Sequence, residues 1–591
     1  MRTTFTLILL SFCTFLFSQT FTKITTGPIA TDTPTGGYAG VSWVDYDGDG
    51  DIDLFLNQDF LYQNDGNGNF TRIFNSGIVG ISIGYNNGNS WADIDNDGDL
   101  DLVLVNRSSN GVFTNNGDGT FTKITTGDIA TNLNAWSAAW ADYDNDGWVD
   151  LVATHPCGIS NPCHTNWLFN NNGDGSFTEI TNSDVNMGLR AYTVGNWADF
   201  DDDGDMDLFI GSGEVSVNSK DHIYINQLTE TGSPDLVLNQ TGVLFGDFRD
   251  GQNWNLIDYD NDGDLDAFVT NFKEDLPNDF YKNNGDGTFT RLTDADLGVH
   301  MVSEAAKWLA NTWGDFNNDG WLDVFITADY LSPFGNHFYL SNGDGTFAHH
   351  FPAMANIIGT RSAANGDYDN DGDLDLFMNS TQSAFRGLYR NNLNPGAGEN
   401  WINLTLEGTI SNRSAIGAKI RVKATINGQT FWQRRDISSQ NAFCGQNSMR
   451  VHFGLGDAAS IDSLIIEWPL GLKESFTNIS SNQFLQFVEG QTTAVLEPKR
   501  AAISLNVHPN PFSEATNITL QINSENNLDK QAIKLSVLDA SQKEITTLFN
   551  GKKPPGIHEF KLNTSGWAPG SYYLILESEA SIFSKTLIIV R

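Results

Sequence analysis

The sequence predicts an all-β fold, a seven-bladed β-propeller followed by two small C-terminal β domains, and three observations carry that prediction. A nine-residue acidic loop recurs seven times, starting at Asp45, Asp93, Asp142, Asp199, Asp258, Asp315 and Asp367, at intervals of 48, 49, 57, 59, 57 and 52 residues. Short apolar runs flank the copies, and a Gly-rich hairpin signature before an aromatic recurs between them. That spacing is the period of propeller blades, units that bury their faces only against their neighbours.

The chain opens with Met1-Arg2-Thr3-Thr4 and an apolar stretch reaching Phe17, which reads as a secretory signal over 1–18 with cleavage near Ser18-Gln19. No other stretch approaches the roughly 18 apolar residues of a membrane span.

The first loop is Asp45-Tyr46-Asp47-Gly48-Asp49-Gly50-Asp51-Ile52-Asp53, with acids at positions one, three, five and nine. The corresponding residues are Asp45, Asp47, Asp49 and Asp53 in the first copy, and Asp93, Asp95, Asp97 and Asp101 in the second. They are Asp142, Asp144, Asp146 and Asp150 in the third, and Asp199, Asp201, Asp203 and Asp207 in the fourth. Asp258, Asp260, Asp262 and Asp266 follow, then Asp315, Asn317, Asp319 and Asp323, then Asp367, Asp369, Asp371 and Asp375. Of these 28 side chains 27 are Asp, and so many close carboxylates repel unless a cation sits among them. A hard ion taking six to eight oxygens, calcium before magnesium, suits them. Gly fills position six throughout (Gly50, Gly98, Gly147, Gly204, Gly263, Gly320, Gly372), where a tight turn calls for positive φ. One copy would read as an acidic surface turn; seven in register do not.

Position 12 is Leu56, Leu104, Ala153, Ile210, Val269, Ile326 and Met378, which excludes the EF-hand and its bidentate acid. Hydrophobic segments separate the loops, unlike tandem acidic repeats with cysteines between them. A calcium loop joining two strands, one per unit, remains. Trp stands two residues ahead of the first ligand in five copies (Trp43, Trp91, Trp140, Trp197, Trp313). Runs such as Leu54-Phe55-Leu56 and Leu208-Phe209-Ile210 follow the loops and read as buried inner strands. A helical turn is expected only around Ser303 to Trp308.

Hairpin turns before an aromatic then recur, as in Asn115-Asn116-Gly117-Asp118-Gly119-Thr120-Phe121, with Asn-Gly and Asp-Gly supplying positive φ. The fourth is degraded at Asn226-Gln227, and the seventh unit stops at Asn391-Asn392 without its trailing strand. Phe21-Thr22-Lys23-Ile24 matches Phe121-Thr122-Lys123-Ile124 and is expected to complete that last unit, leaving no unpaired edge.

Residues 19–395 thus resemble the FG-GAP/VCBS calcium-loop propellers, a fold shared by integrin α-subunit heads. The resemblance implies up to seven Ca2+, each held by side chains at positions one, three, five and nine and by the backbone carbonyl at position seven, Asp205 in the fourth loop. Trp148 and Trp321 at position seven are compatible with a backbone ligand. Asn317 removes one negative charge, so the sixth site should bind more weakly.

The formal charge of −40 is uneven. Residues 19–395 hold 14 basic and 56 acidic residues, a net of −42, while 396–490 and 505–591 each hold eight of either sign. An acidic ring repels nucleic acid and anionic lipid, so neither is an expected partner. Cys13 leaves with the signal. Cys157 and Cys163 bracket a tight loop that suits a disulfide in an oxidising compartment; a zinc site with His155 and His164 is the alternative. Cys444 has no evident partner.

From Trp401 the pattern changes to short strands. Asn412-Arg413-Ser414-Ala415-Ile416-Gly417-Ala418, His452-Phe453-Gly454-Leu455-Gly456 and Trp468-Pro469-Leu470-Gly471 resemble the ASPIC/UnbV domain over 396–490, which commonly follows calcium propellers, as in cartilage acidic protein relatives. Arg413, Arg434, Arg435 and Gln446 are candidates for recognition, weighed against internal salt bridges and turn hydrogen bonds. After a linker over 491–504, residues 505–591 run from Pro509-Asn510-Pro511-Phe512 through alternating strands to an apolar end. They resemble the type IX secretion sorting domain of Bacteroidota, which implies the type IX secretion machinery as a partner and export to the medium or the outer cell surface.

The reading that follows is a secreted or surface-displayed calcium-binding protein, a monomer without catalysis, that binds an extracellular glycan or protein. A polysaccharide lyase or hydrolase and a calcium-held surface-matrix component are the alternatives. Against an enzyme, the ten histidines are scattered, no nucleophile or metalloprotease motif is present, and the acids are committed to the loops.

Overall fold

The computed structural model describes residues 21–589 apart from 33–37, 57–59, 80–85, 107–109, 132, 158–162, 214–219, 245–248, 274–275, 330–331, 394–398, 492–494, 497–502, 509–514, 523–532, 540–542, 555, 569 and 578–581. The signal over 1–18, the boundary at 394–398, most of the 491–504 linker and the Pro509 to Phe512 motif lie outside the described residues.

The architecture is an all-β repeat. Seven four-stranded antiparallel sheets follow one another. Their first strands are Val41–Val44, Asn86–Ala92, Ser137–Ala141, Tyr192–Ala198, Gly251–Ile257, Trp308–Gly314 and Thr360–Gly366. The acidic loop joins first to second strand in every repeat: position one follows the last residue of the first strand, and position nine opens the second. In the seventh sheet the fourth strand is Phe21–Lys23, paired antiparallel to Gly387–Asn391 with Phe21 opposite Asn391.

Helix is confined to short turns such as Pro28–Thr31, Leu228–Thr231 and Asp294–Leu297. The helical turn expected near Ser303 is not formed. Ala305 instead bridges Pro277, and Trp308 begins a strand. Two adjacent alanines offer too few residues to nucleate a helix against that pairing.

The core lies between consecutive sheets. Position two of one loop packs on the Phe that follows the next repeat's hairpin: Tyr46 on Phe121, Phe200 on Phe289, Tyr259 on Phe347, and, from the seventh repeat to the first, Tyr368 on Phe70 at 5.7 Å. In three repeats the indole N–H of the Trp before the loop reaches the preceding sheet, Trp140 donating to the Ser90 carbonyl, Trp197 to Ala139 and Trp43 to Ala364, while Trp91 and Trp313 donate to Asn89 and Asn311 of their own strands.

Residues 400–496 form two more sheets. One contains Val451–Gly456, Asn400–Glu407 and Gln483–Val488, the last two parallel; the other runs Gln429–Asp436, Lys419–Ile426, Ser460–Glu467, Lys473–Ser480. These pack with the repeats as one compact unit, Met1–Leu496. The segment 438–447 penetrates among the first strands of the repeats. Gln446 is fully buried; its N–H and carbonyl bond to Val41 and Trp43, and its side-chain oxygen accepts from the Trp91 N–H at 2.8 Å. Cys444 packs with Phe443, Trp136, Val194, Leu309 and Ala310. The fit is backbone on backbone: a Cβ on Gly40 would stand 1.6 Å from the Cys444 carbonyl oxygen. Gln446 and Arg434 are therefore not displayed to solvent, and their hydrogen bonds cross to the repeats.

The unit Glu497–Arg591 contains a three-stranded sheet (Ile503–His508, Ala515–Ile522, Gly556–Asn563) and a four-stranded one (Glu544–Gly551, Ile533–Asp539, Gly570–Glu577, Ile582–Ile589). Ile518, Leu520, Leu535, Val537, Leu574 and Leu576 form its core.

Candidate metal centres

Each loop is wired by its own backbone. The position-one carboxylate accepts from the N–H groups of positions five and six, as at Asp45 (Asp49 at 3.1 Å, Gly50 at 3.0 Å) and Asp142 (Asp146 and Gly147, both 2.9 Å). Position five accepts from the N–H of position seven, for example Asp146 from Trp148 at 2.9 Å. The turn this requires puts the position-six glycines at φ between 88° and 105°. Position nine is buried and accepts twice: in the first loop, Asp53 takes the Tyr46 N–H at 3.2 Å and the Asn64 N–H at 2.7 Å.

This wiring brings three of the four expected side chains together in each of the first four loops. Ligand-competent oxygens of Asp45, Asp47 and Asp53, of Asp93, Asp95 and Asp101, of Asp142, Asp144 and Asp146, and of Asp199, Asp201 and Asp203 lie within 4.8 Å of one another in each group. Twice a calcium–oxygen bond is about 4.8 Å. Buried oxygens of Asp144, Asp207, Asp260 and Asp369 have no hydrogen-bond donor, which fits a cation among them. Burial first, and then like charge, drive the acids toward protonation: Asp45 is pushed up to about 7, Asp266 to about 9, and Asp150 and Asp375 well above the usual carboxylate range.

The repeats are not equivalent. In the fifth, Lys282 reaches Asp260 and lies 3.1 Å from Asp262. In the seventh, Arg390 contacts Asp369 at 2.8 Å and Asp371 at 2.7 Å. The same third-strand position holds Gln63 and Asn170 in the first and third repeats, where each amide donates to position three.

Three further sets of residues shape these loops. The Asn ending each third strand donates both to its own loop and to position two of the preceding loop, as Asn115 does to Tyr46 at 2.8 Å and Asn64 to Tyr368 at 2.6 Å. The sixth repeat has Ser341 there. Position four is left-handed at Asn96, Asn145, Asp202, Asn261, Asn318 and Asn370, with φ from 56° to 64°. Four of those Asn donate to the glycine carbonyl of the next loop at 3.0–3.2 Å. The signal was available, since only Gly, Asn and Asp occur at position four.

The third set comes from residues 400–496, whose cations face the loops. Lys419 bonds Asp199 at 2.6 Å and Asp202 at 2.5 Å, and Arg421 and Arg434 also reach Asp202. Asp202 sits at about 2, because these three cations outweigh a burial that would raise it. Arg413 approaches Asp93 at 3.7 Å, Asn403 donates to Asp367, and His452 meets the Gly372 carbonyl. Cys157 and Cys163 are disulfide-bonded with Cα atoms 4.7 Å apart, and the His155 and His164 rings lie edge to face beside them.

Comparison with known proteins agrees with this anatomy. FG-GAP-like repeats match at 93–153, 157–210, 258–326 and 315–378, ASPIC and UnbV at 408–494, and a secretion system C-terminal sorting domain at 506–590. The chain carries FG-GAP repeats, an ASPIC/UnbV domain and a type IX sorting domain. The sorting domain marks it for type IX secretion to the cell surface. Among the described residues no helix is long and apolar enough to cross a membrane. Cartilage acidic protein 1 of Xenopus tropicalis is 25% identical over 337 residues, covering 54% of this chain and 47% of that protein, so the chain spans about half the length of this curated relative. An Agrocybe aegerita lectin that recognises non-reducing terminal N-acetylglucosamine superposes with a TM-score of 0.36 at 18% identity, over 58% of this chain and 86% of the lectin. The Photorhabdus luminescens Tc holotoxin pore gives 0.30 at 12%, over 95% and 29%. Likeness at this level says nothing of function.

Proposed function

We propose that the seven sheets close into a seven-bladed propeller, that the 28 loop side chains hold up to seven Ca2+, and that the exported protein uses this scaffold to bind an extracellular glycan or protein without altering it. The domain limits proposed are 19–395 for the propeller, 396–490 for the ASPIC/UnbV domain and 505–591 for the sorting domain. The observation that carries the reading is the recurrence of oxygen groups within 4.8 Å on one wired loop. Closure is supported by the bonds from Trp43 to Ala364 and from Asn64 to Tyr368, which join the first repeat to the seventh.

Calcium supplies charge neutralisation and rigidity to the loops. The ASPIC/UnbV domain covers that end of the propeller, so recognition falls to the other end. Strand direction puts Phe74, Met187, Leu189, Phe351 and Phe385 there, all exposed. Exposed aromatic faces suit a sugar ring or a protein hot spot. The test is an array of glycans and extracellular proteins probed with the mature protein in calcium and in EGTA. Retention of an intact ligand in calcium, weakened at least tenfold by Phe74→Ala with Phe351→Ala at unchanged melting temperature, is expected. Shortening of a polysaccharide, or calcium-driven self-assembly with no ligand retained, would overturn it.

A further inference from the structure

The fourth repeat departs from the others where its hairpin should be. Asn226-Gln227 leads into the helical turn Leu228–Thr231, capped by Gly232 in the left-handed region. Thr229 N–H ties down one oxygen of Asp205, the position-seven residue, at 2.9 Å. The other oxygen, Asp205 Oδ1, is buried without a hydrogen-bond donor, and Asp205 as a whole is 1% exposed. Asp203 likewise spends one oxygen on the Asp205 N–H at 3.1 Å and leaves Oδ2 buried without a donor. Oxygens of Asp203, Asp205 and Glu230 lie within 4.8 Å of one another.

In the seventh repeat Asp373 likewise accepts from the Leu393 N–H at 2.9 Å and leaves a buried oxygen without a donor, but there Arg390 already sits on the neighbouring Asp369 and Asp371. Asp51 in the first repeat accepts from Asn370 at 2.8 Å, and Trp148 and Trp321 replace the acid in the third and sixth. The cations near the fourth loop are turned to Asp199 and Asp202. A deeply buried carboxylate with an unserved oxygen, beside two more acids, calls for a positive ion.

We infer that the fourth repeat holds a second divalent cation, calcium by its all-oxygen donors, bound by Asp203, Asp205 and Glu230 and bridged through Asp203 to the ion of the loop itself. Glu230 is exposed, so water completes the shell on that side. The site deepens the calcium reading above and rests on it.

Native mass spectrometry of the full mature chain, equilibrated with calcium, counts the ions directly. Glu230→Gln, an exposed change, is expected to bind one calcium fewer than wild type while still melting in a single cooperative transition, as is Asp205→Asn. Asp201→Asn, which touches only the loop's own site, reports that ion separately. Equal counts in wild type and both Glu230→Gln and Asp205→Asn would overturn the second site while leaving the loop sites standing. A wild type with no bound calcium would overturn both.

Discussion

Position four of the loop shows how one residue can link an acidic loop to the next repeat. In the left-handed region the amides of Asn96, Asn145, Asn261 and Asn318 donate to the next loop's glycine carbonyl, so the shape of one loop depends on its neighbour. Asp202 cannot donate, and the carbonyl it would have served, Gly263, accepts instead from Arg434 at 2.8 Å. Arg434 also grips Asp436 through two bonds and is 2% exposed on its side chain. Arg434→Ala would leave Asp436, Asp202 and that carbonyl without their cation, at a cost of about 3 kcal/mol. Thermal melting of the calcium-loaded variant checks this; a loss below about 1 kcal/mol would mean that the arginine is a bystander. Lys282 has the opposite sense. It sits on two acids that the metal needs, so Lys282→Met should raise calcium affinity at the fifth site about tenfold, after allowing for its partial exposure to solvent. Calorimetric titration showing no site moved to tighter binding would refute it.

Among the elements, the segment 438–447 deserves the most weight, because it joins domains that read as separate in sequence. Cys444 and Gln446 pair with the repeats backbone to backbone, the Ser439 and Asn447 side chains bond Trp140 and Asn365, and a Cβ on Gly445 would lie 2.1 Å from the Val41 carbonyl oxygen. Gly445→Val should therefore expel the segment: protease sites around 438–447 open, and melting divides into two transitions where wild type shows one. Wild-type digestion patterns in the variant would contradict this. The element scale also shows what the sequence made legible. Loop, inner strands, hairpin and the pairing of Phe21–Lys23 with Gly387–Asn391 each have a local signature in residue type or period. Insertion of 438–447 has none, because a segment that docks by backbone hydrogen bonds needs only small or polar residues, and Ser438-Ser439-Gln440-Asn441 looks like any surface turn. For the same reason Arg434 and Gln446 looked exposed. Within the loops the acidic positions are plain in the sequence, whereas the contacts of Lys282 and Arg390 with them are not, since both residues arrive from a strand some twenty residues away in the chain.

At the scale of the molecule, charge is the organising quantity. Residues 19–395 carry a net −42, and the balanced 396–490 segment turns Arg413, Lys419, Arg421, Arg434 and Arg450 toward the acidic loops. These cations offset only part of the repulsion; on the calcium reading proposed above, bound metal offsets much of the rest. Without metal, burial and neighbouring acids hold Asp45, Asp93 and Asp142 near 7 and Asp101 near 8, against 3.8 for the unfolded side chain. The folded chain then binds more protons than the unfolded one between about pH 4 and 8, so unfolding becomes easier as pH rises. The stability these groups lend the metal-free protein is complete below about pH 4 and is lost through pH 7–8. Calcium in hundredfold excess over its dissociation constant adds about 2.7 kcal/mol per site, and it does so where the acids are ionised. In EGTA the melting temperature should accordingly fall from pH 5 to pH 8, while in millimolar calcium it should hold or rise over the same range. Parallel curves with and without calcium would mean that the clustered aspartates are neutralised by something other than a metal ion.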